Sequence, residues 1–429
     1  MDAAAKGRFL TFDRPGGRFY IWRSARYLGR YTQTGHLTGN SKPMAHRFQV
    51  LSMPASRDPV SLLAVDRAVS DLRRGRMIAL IGGGGAAALV QAAEAVTPQG
   101  LDELERQSGA GPVLAITGRR AQVLALSPTP VGGPSTVVTV TAEGRLDAES
   151  VHDLADPLSS IAAPPPFPLT IAWAPAHGCD SAAVSLAKLA RLLPAALTAS
   201  LDTPEAEDRA SWAIRHNILM VDAGDIFQYE STAARTLRPV SEARVPLLDA
   251  EDTRIIAFRP TDGGLEHLAI IIGDPNAESP VLTRLHSECF TGDLLGSLRC
   301  DCGDQLRGAI NEIARVGAGV LLYLAQEGRG IGLVNKLRAY ELQDRGFDTM
   351  DANEQLGFDA DERVYLPAAR MLRHLGFNRV RLMTNNTDKV AALAASGVVV
   401  EERVRHAFPS NKHNEVYLRT KAARGGHLL

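Results

Sequence analysis

Three of the chain's four cysteines lie between positions 289 and 302, within HSECFTGDLLGSLRCDCGDQ at 286–305. Ten residues separate Cys289 from Cys300, and Cys302 completes a C-x-C corner, so one loop can bring three sulfurs to a single point. In a reducing compartment such a corner suits a metal or a catalytic thiol better than a disulfide. Three thiolates fill three positions of a tetrahedral zinc ion and leave the fourth for water or substrate, the arrangement of a catalytic site. A closed structural site completed by His286 is the alternative, but closed sites usually join two C-x2-C-type pairs, and the sequence has no second pair.

The rest of the chain must build a scaffold for that corner. With 429 residues, 45% hydrophobic and 22% charged, it has room for two or three domains. A net charge of -1 offers no global field for nucleic acid or an anionic membrane, so an anionic substrate has to be met locally. No apolar run approaches the roughly 18 residues of a membrane span, and no signal-peptide core is evident. We therefore expect a cytoplasmic protein with neither nucleic acid nor membrane as partner. A zinc nucleobase deaminase is disfavoured because its H-x-E and P-C-x-x-C signature is not met.

Residues 1–57 carry ten Lys or Arg against Asp2 and Asp13, with aromatics interleaved in RFYIWRSARYLGRY. An organellar leader and a basic-aromatic arm on nucleic acid both fit this composition. The linker-like TQTGHLTGNSKP that follows favours a poorly ordered extension, with Met44 and Met53 as alternative starts.

Order is expected from residue 58. Val65, Ala68, Val69 and Leu72 recur at helical spacing after Asp58, a candidate N-cap, and Met77 to Ile81 reads as a strand. Gly82, Gly84 and Ala87 then match G-x-G-x-x-A, a weak dinucleotide fingerprint that a poly-Gly loop also produces by accident. IAAPPPFP at 161–168 reads as a connector and 181–197 as a strongly apolar helix. From about 230 a polar connector leads into alternating elements: strands at 254–258, 267–273 and 281–286, then helices at 303–316, 333–345, 365–375 and 388–395 with VLLYL, RVRLMT and VVVEER between them. The pattern is α/β (α+β), with an extension at 1–57, a first domain at 58–229, a linker at 230–245 and a second domain at 246–429.

The first domain resembles 3,4-dihydroxy-2-butanone 4-phosphate synthase. LRRGRMIALI matches that family's helix-to-strand turn, but GGGG stands where its acidic loop belongs, and Cys179 and Ser181 occupy its His and Glu positions in Gly178 to Ala183. Without those carboxylates and that base the domain reads as a catalytically dead relative, with Cys179 a packed thiol.

The second domain resembles GTP cyclohydrolase II, motif by motif and in register. The matches are Arg284 to Asp293, Ser297 to Gly303, Gln326 to Gly332, Asn335 to Tyr340, Ala360 to Arg363, Thr384 to Asn386 and the Gly-His-Leu-Leu near the end. Gly330 is a small departure, standing where other members often carry a polar residue. The resemblance implies hydrolysis of GTP with loss of C8 as formate and release of pyrophosphate, leaving a diaminopyrimidine ribosyl phosphate, the first step of riboflavin biosynthesis. It implies one zinc per subunit on Cys289, Cys300 and Cys302, activating water for attack at C8. Tyr340 is the implied tyrosine near the zinc, Asp361 the base, and Arg363 the group at the α-phosphorus. A guanidinium is a poor nucleophile, so for Arg363 we favour charge stabilisation. GTP contacts are implied for Arg284, Leu285, His286, Ser287, Glu288, Gln305, Glu327, Gly328, Arg329, Thr349, Thr384 and Lys389. Magnesium is expected with the triphosphate and pyrophosphate, and the assembly is expected to be a homodimer. A cyclohydrolase of another pathway, such as pyrimidine catabolism, and a non-catalytic nucleotide-binding regulator are the alternatives.

Overall fold

The computed structural model describes residues 8–14, 17–23, 57–126, 136–159, 168–201, 208–409, 412 and 414. All but the last residue of the expected connector at 161–168, the linker-like stretch before residue 57, both alternative starts and the terminal Gly-His-Leu-Leu lie outside them. The chain forms two compact units, Met1–Pro54 and Ala55–Leu429. In the first, β1 (Arg8–Arg14) pairs antiparallel with β2 (Gly17–Arg23), where composition led us to expect little order. The reason is local: FLTF and FYIW are strong strand formers.

The second unit contains two seven-stranded sheets. The first half supplies β3 (Ile78–Ile81), β4 (Ala87–Ala92), β5 (Val113–Thr117), β6 (Val137–Ala142), β7 (Leu169–Trp173), β8 (Ala195–Ser200) and β9 (Leu219–Asp222). They lie in the order β7-β6-β5-β8-β4-β3-β9, antiparallel except for β3 with β9. Helices Arg57–Arg73, Cys179–Leu189 and Ala223–Thr236 cover one face through Val65, Ala68, Leu72, Ala182, Leu186 and Ile226. Helices Pro98–Ser108, Ala148–Ala155 and Arg209–Arg215 cover the other.

The second half supplies β10 (Arg238–Arg244), β11 (Thr253–Arg259), β12 (His267–Ile272), β13 (Val281–Ser287), β14 (Gly319–Leu324), β15 (Arg379–Met383) and β16 (Val399–Val404), in the order β10-β11-β12-β14-β13-β15-β16. Pairing is antiparallel from β10 to β14 and parallel among β14, β13, β15 and β16. Helix Cys302–Val316 buries Ala309 and Ile313 on one face of this sheet; Leu366–His374 and Thr387–Ala395 pack on the other.

Four elements differ from the sequence reading. The Gly82 to Ala87 segment joins β3 to an antiparallel β4, so it is a hairpin turn with Gly84 and Gly85 at φ 67° and 82° rather than a strand-to-helix phosphate loop. Leu89 and its neighbours in β4 are buried on both faces, which erased the alternation that marks a strand. The apolar stretch 181–197 is helical only to Leu189: Arg191 takes a left-handed φ of 57°, Pro194 follows, and Ala195 begins β8. The expected linker at 230–245 is the end of helix Ala223–Thr236 followed by β10, an edge strand with a register shift between Pro239 and Ser241. Finally, helix Arg57–Arg73 begins one residue ahead of Asp58, which therefore lies inside its first turn.

The halves share a core. Leu193 of the first packs with Ile331, Ala339, Leu342, Ala352, Leu356 and Phe358 of the second. Phe358 is fully buried there. Phe358→Ala should cost about 3–5 kcal/mol and, in calorimetry of the full chain, lower a single unfolding transition; two separated transitions would contradict a shared core.

Candidate functional site

Two neighbouring parallel strands deliver the site. β13 and β14 are paired through His286 with Tyr323 and Ser287 with Leu324, so the cysteine loop and the EGRG loop leave the same edge side by side. β15, on the other side of β13, releases Thr384 to Asn386 at that edge. This is the carboxyl end of the parallel strands, where open α/β sheets place ligands.

After Cys289 the chain makes one wide helical turn over Phe290–Leu294, and Cys300 and Cys302 return at the start of helix Cys302–Val316. One ligand atom from each cysteine lies within 4.8 Å of the others, and the Cys289 and Cys300 sulfurs are 3.7 Å apart. Sulfurs bonded at about 2.3 Å to a tetrahedral zinc stand about 3.8 Å from one another, whereas a disulfide bond is about 2.05 Å. Gly292 supplies the floor: a Cβ there would meet the Cys300 sulfur at 2.8 Å and the Cys289 sulfur at 3.0 Å. The donor set, its spacing and this cradle all fit zinc.

His286 is not a fourth ligand. Its Nε2 is 3.0 Å from both Asp293 oxygens, and Asp293 also accepts from the Cys289 amide and the Tyr323 hydroxyl. Among the described residues the close group of possible metal ligands consists of the three cysteines.

Charge is compensated nearby. Lys336 Nζ lies 3.1 Å from the Cys289 sulfur, 2.9 Å from Thr291 Oγ1 and 2.8 Å from Glu327 Oε1. Hydrogen bonds from the Cys300 and Cys302 thiols, with Lys336, pull Cys289 far below the usual thiol range, while the Cys289 sulfur pushes Cys300 up. Burial opposes the Lys336 charge, but Glu327 and Cys289 outweigh it. Cys302 opens its helix, at the positive end of the helix dipole. Tyr340 stands at 3.4 Å from Thr291 Oγ1, with Lys336 and Arg299 against its ring, and burial raises its pKa.

Glu327 is occupied by its own chain: Oε2 accepts from the Phe290 amide, and Oε1 from the Gly328 amide and Lys336. It therefore ties the EGRG loop to the cysteine loop. That loop is held in left-handed backbone at Gly328, Arg329, Gly330 and Gly332, with φ of 61° at Arg329. For a non-glycine residue this costs about 1–2 kcal/mol. The Arg329 carbonyl accepting from the Glu362 amide, and its Nη1 donating to the Ala360 carbonyl, offset the strain.

Arg284 is buried, donating to the Met383 carbonyl at 2.8 Å and to Gln305, and burial lowers its pKa to about 10. Lys389 donates to the Leu285 carbonyl from beside the Tyr365 ring, and Thr384 is buried at the end of β15. Asp361 and Arg363 form a close pair, with Arg363 Nε 2.8 Å from Asp361 Oδ1. Burial would raise the Asp361 pKa, but Arg363 outweighs it and holds the carboxyl below its ordinary value. Glu288 sits half-buried after β13, its pKa raised by burial and by Glu327. Among the described residues, Arg284 Nε, His286 Nδ1, Ser287 Oγ and Tyr365 Oη are buried without a hydrogen-bond partner, an expense that native proteins rarely carry away from a ligand site. Thr349, half-buried at the start of helix Thr349–Gln355, is joined to none of these residues by a hydrogen bond among the described residues.

Sequence reasoning assigned no role to Lys336, Asp293 or Tyr365, although the first two stand inside quoted motifs. A lysine directly after a motif asparagine was the available signal for Lys336; nothing local marks Tyr365.

In the first half Cys179 is buried 3.9 Å from the Leu80 carbonyl, and a Cβ on Gly82 would meet its sulfur at 3.0 Å. Burial raises the Cys179 pKa, and Ser181 donates to the Pro175 carbonyl. Cys179 is thus a buried, packed thiol, and Ser181 is engaged by the backbone of its own half.

Gly292→Ala offers a specific test of the cysteine cradle. It should fold with near-normal helicity by circular dichroism yet bind at least tenfold less zinc in metal analysis after competition with a chelator; full zinc retention would show that the cradle is not tight.

The family model for GTP cyclohydrolase II matches residues 238–405. A GTP cyclohydrolase-2 of Azospirillum brasilense is 57% identical over 372 residues, 87% of this chain and 95% of that one. The riboflavin biosynthesis protein RibBA of Phocaeicola vulgatus is 34% identical over 405 residues, covering 87% of this chain and 99% of that protein. A solved 3,4-dihydroxy-2-butanone 4-phosphate synthase of Candida albicans covers 39% of this chain and 96% of its own at 23% identity, with a TM-score of 0.32. With a relative so similar over nearly its whole length, the chain belongs to the GTP cyclohydrolase II family.

Proposed function

We propose that this chain is a zinc-dependent GTP cyclohydrolase II, converting GTP to 2,5-diamino-6-hydroxy-4-(5-phosphoribosylamino)pyrimidine, formate and pyrophosphate in riboflavin biosynthesis. The observation that carries the reading is a three-sulfur corner beside the cations Lys336, Arg284 and Lys389 and buried polar atoms that have no hydrogen-bond partner among the described residues. Zinc held by Cys289, Cys300 and Cys302 supplies, when bound, the Lewis acidity that makes water nucleophilic near neutral pH.

The chain's own residues do the rest. Arg284, Arg329 and Lys389 bring fixed positive charge to the triphosphate, and the left-handed backbone at 328–330 lets amides approach anionic oxygens. Leu285, His286, Ser287 and Glu288 present the end of β13 to the nucleotide, with Gln305 orienting Arg284 from behind. Thr349 and Thr384 complete the contacts. Tyr340 hydrogen-bonds the opening ring. Glu327 acts first as the tie between loops, since its oxygens are already engaged. Asp361 accepts a proton only after Arg363 turns to the α-phosphate, because the resting pair suppresses its basicity. Arg363 then stabilises charge on the transferring phosphoryl group. Magnesium accompanies the pyrophosphate, as hard oxygen anions favour it.

We assign the hydrolytic domain to the second half and no synthase activity to the first, where glycine, thiol and hydroxyl replace acids and base. No helix among the described residues is long and apolar enough to cross a membrane. A cytoplasmic homodimer is the form in which we expect the enzyme to work.

Incubation of zinc-loaded protein with GTP and magnesium should release formate and the diaminopyrimidine, and Cys300→Ser should be silent in the same assay. GTP binding without formate would remove the ring-opening assignment.

A further inference from the structure

The first half, to which we assign no synthase activity, reaches the hydrolytic half at several places, two of which adjoin the site. Lys188, on helix Cys179–Leu189, places Nζ 2.7 Å from Glu362 Oε1 and 3.8 Å from Asp359 Oδ2. Glu362 lies between Asp361 and Arg363, the two residues assigned to proton acceptance and phosphoryl charge. The same Glu362 oxygen accepts from the Asp359 amide at 2.8 Å, and the Glu362 amide donates to the Arg329 carbonyl at 3.1 Å. Segment 359–363 and the EGRG loop are thus laced into one unit, and Lys188 pins it from outside.

The second reach is Arg191. Its Nη2 donates to the Ala325 carbonyl at 2.9 Å, just ahead of Gln326 and Glu327, and its own carbonyl accepts from Asn335 Nδ2 at 3.0 Å, next to Lys336. Gly332 leaves the space for this arginine: a Cβ there would come within 2.9 Å of Arg191 Cδ. Lys188, Leu189, Glu230, Gly330 and Glu362 line two cavities of about 380 Å³ each. Arg119 of the first half adds a second cation to the segment, its Nε 3.4 Å from Asp359 Oδ1.

We propose that the first half is a positioning domain for the hydrolytic site, with Lys188 as the positioning residue that holds Glu362, and through it Asp361, Arg363 and the EGRG loop, in working geometry. The inference rests on the cyclohydrolase reading. It gives the domain a mechanical part in turnover that needs no ligand of its own. A misplacement of about 1 Å in such a constellation can cost about a hundredfold in rate.

The test uses the full zinc-loaded chain with Lys188→Met, Lys188→Arg and the exchanged pair Lys188→Glu with Glu362→Lys. Expected for Lys188→Met are a kcat for formate release reduced at least tenfold, a KM for GTP within threefold, unchanged zinc content, and faster amide hydrogen exchange in 325–330 and 359–363. Lys188→Arg should keep most of the rate and the exchanged pair should recover part of it. A Lys188→Met enzyme with normal kcat, or a fall in rate that Lys188→Arg does not rescue, overturns the positioning role. Wild-type protein that released no formate would instead remove the cyclohydrolase reading. In that case the exchange measurement still decides: unchanged protection of both segments in Lys188→Met overturns the mechanical link, and faster exchange upholds it.

Discussion

Three sulfurs held within 4.8 Å of one another in a mostly buried corner create a charge problem that the surrounding structure must solve. Three thiolates around a divalent ion leave one negative charge, and burying an uncompensated charge is costly. Lys336 provides the counter-charge at 3.1 Å from Cys289, and Glu327 balances Lys336 in turn at 2.8 Å. Because Glu327 also accepts the amides of Phe290 and Gly328, neutralising the corner fixes the EGRG loop beside it. One ionic chain therefore sets both the three-sulfur corner and the EGRG loop beside it.

The fold makes that chain possible by placing β13 and β14 in parallel. Their carboxyl ends release the cysteine loop and the EGRG loop at the same level, in a register where Ser287 faces Leu324. The EGRG loop then turns too sharply for ordinary backbone, which accounts for glycine at 328, 330 and 332 and for the strained Arg329. Contacts from residues 359–363 hold the strain on one side, and Arg191 of the first half bears on the other.

Much of the site was legible in the sequence because its chemistry is local. The spacing of Cys289, Cys300 and Cys302 encloses one ion without any knowledge of the fold, and the amphipathic helix Cys302–Val316 follows directly from its period. The strands at β11, β12 and β13 stood out as β-branched and apolar runs. What escaped notice depends on distant pairing. β4 is buried on both faces and carries no alternation, β10 is a polar edge strand that looks like linker, and β8 continues an apolar stretch that begins as helix. Lys336, Tyr365 and the Lys188–Glu362 contact acquire meaning only when residues up to 174 positions apart meet, and no local pattern announces that.

The central claim is an open three-sulfur zinc site, and the zinc K-edge absorption spectrum of the purified protein tests it most directly. The account expects three sulfur scatterers at about 2.3 Å and one light atom from solvent completing the tetrahedron. Four sulfurs, or the multiple-scattering signature of a bound imidazole, would contradict it and make the corner a closed structural site.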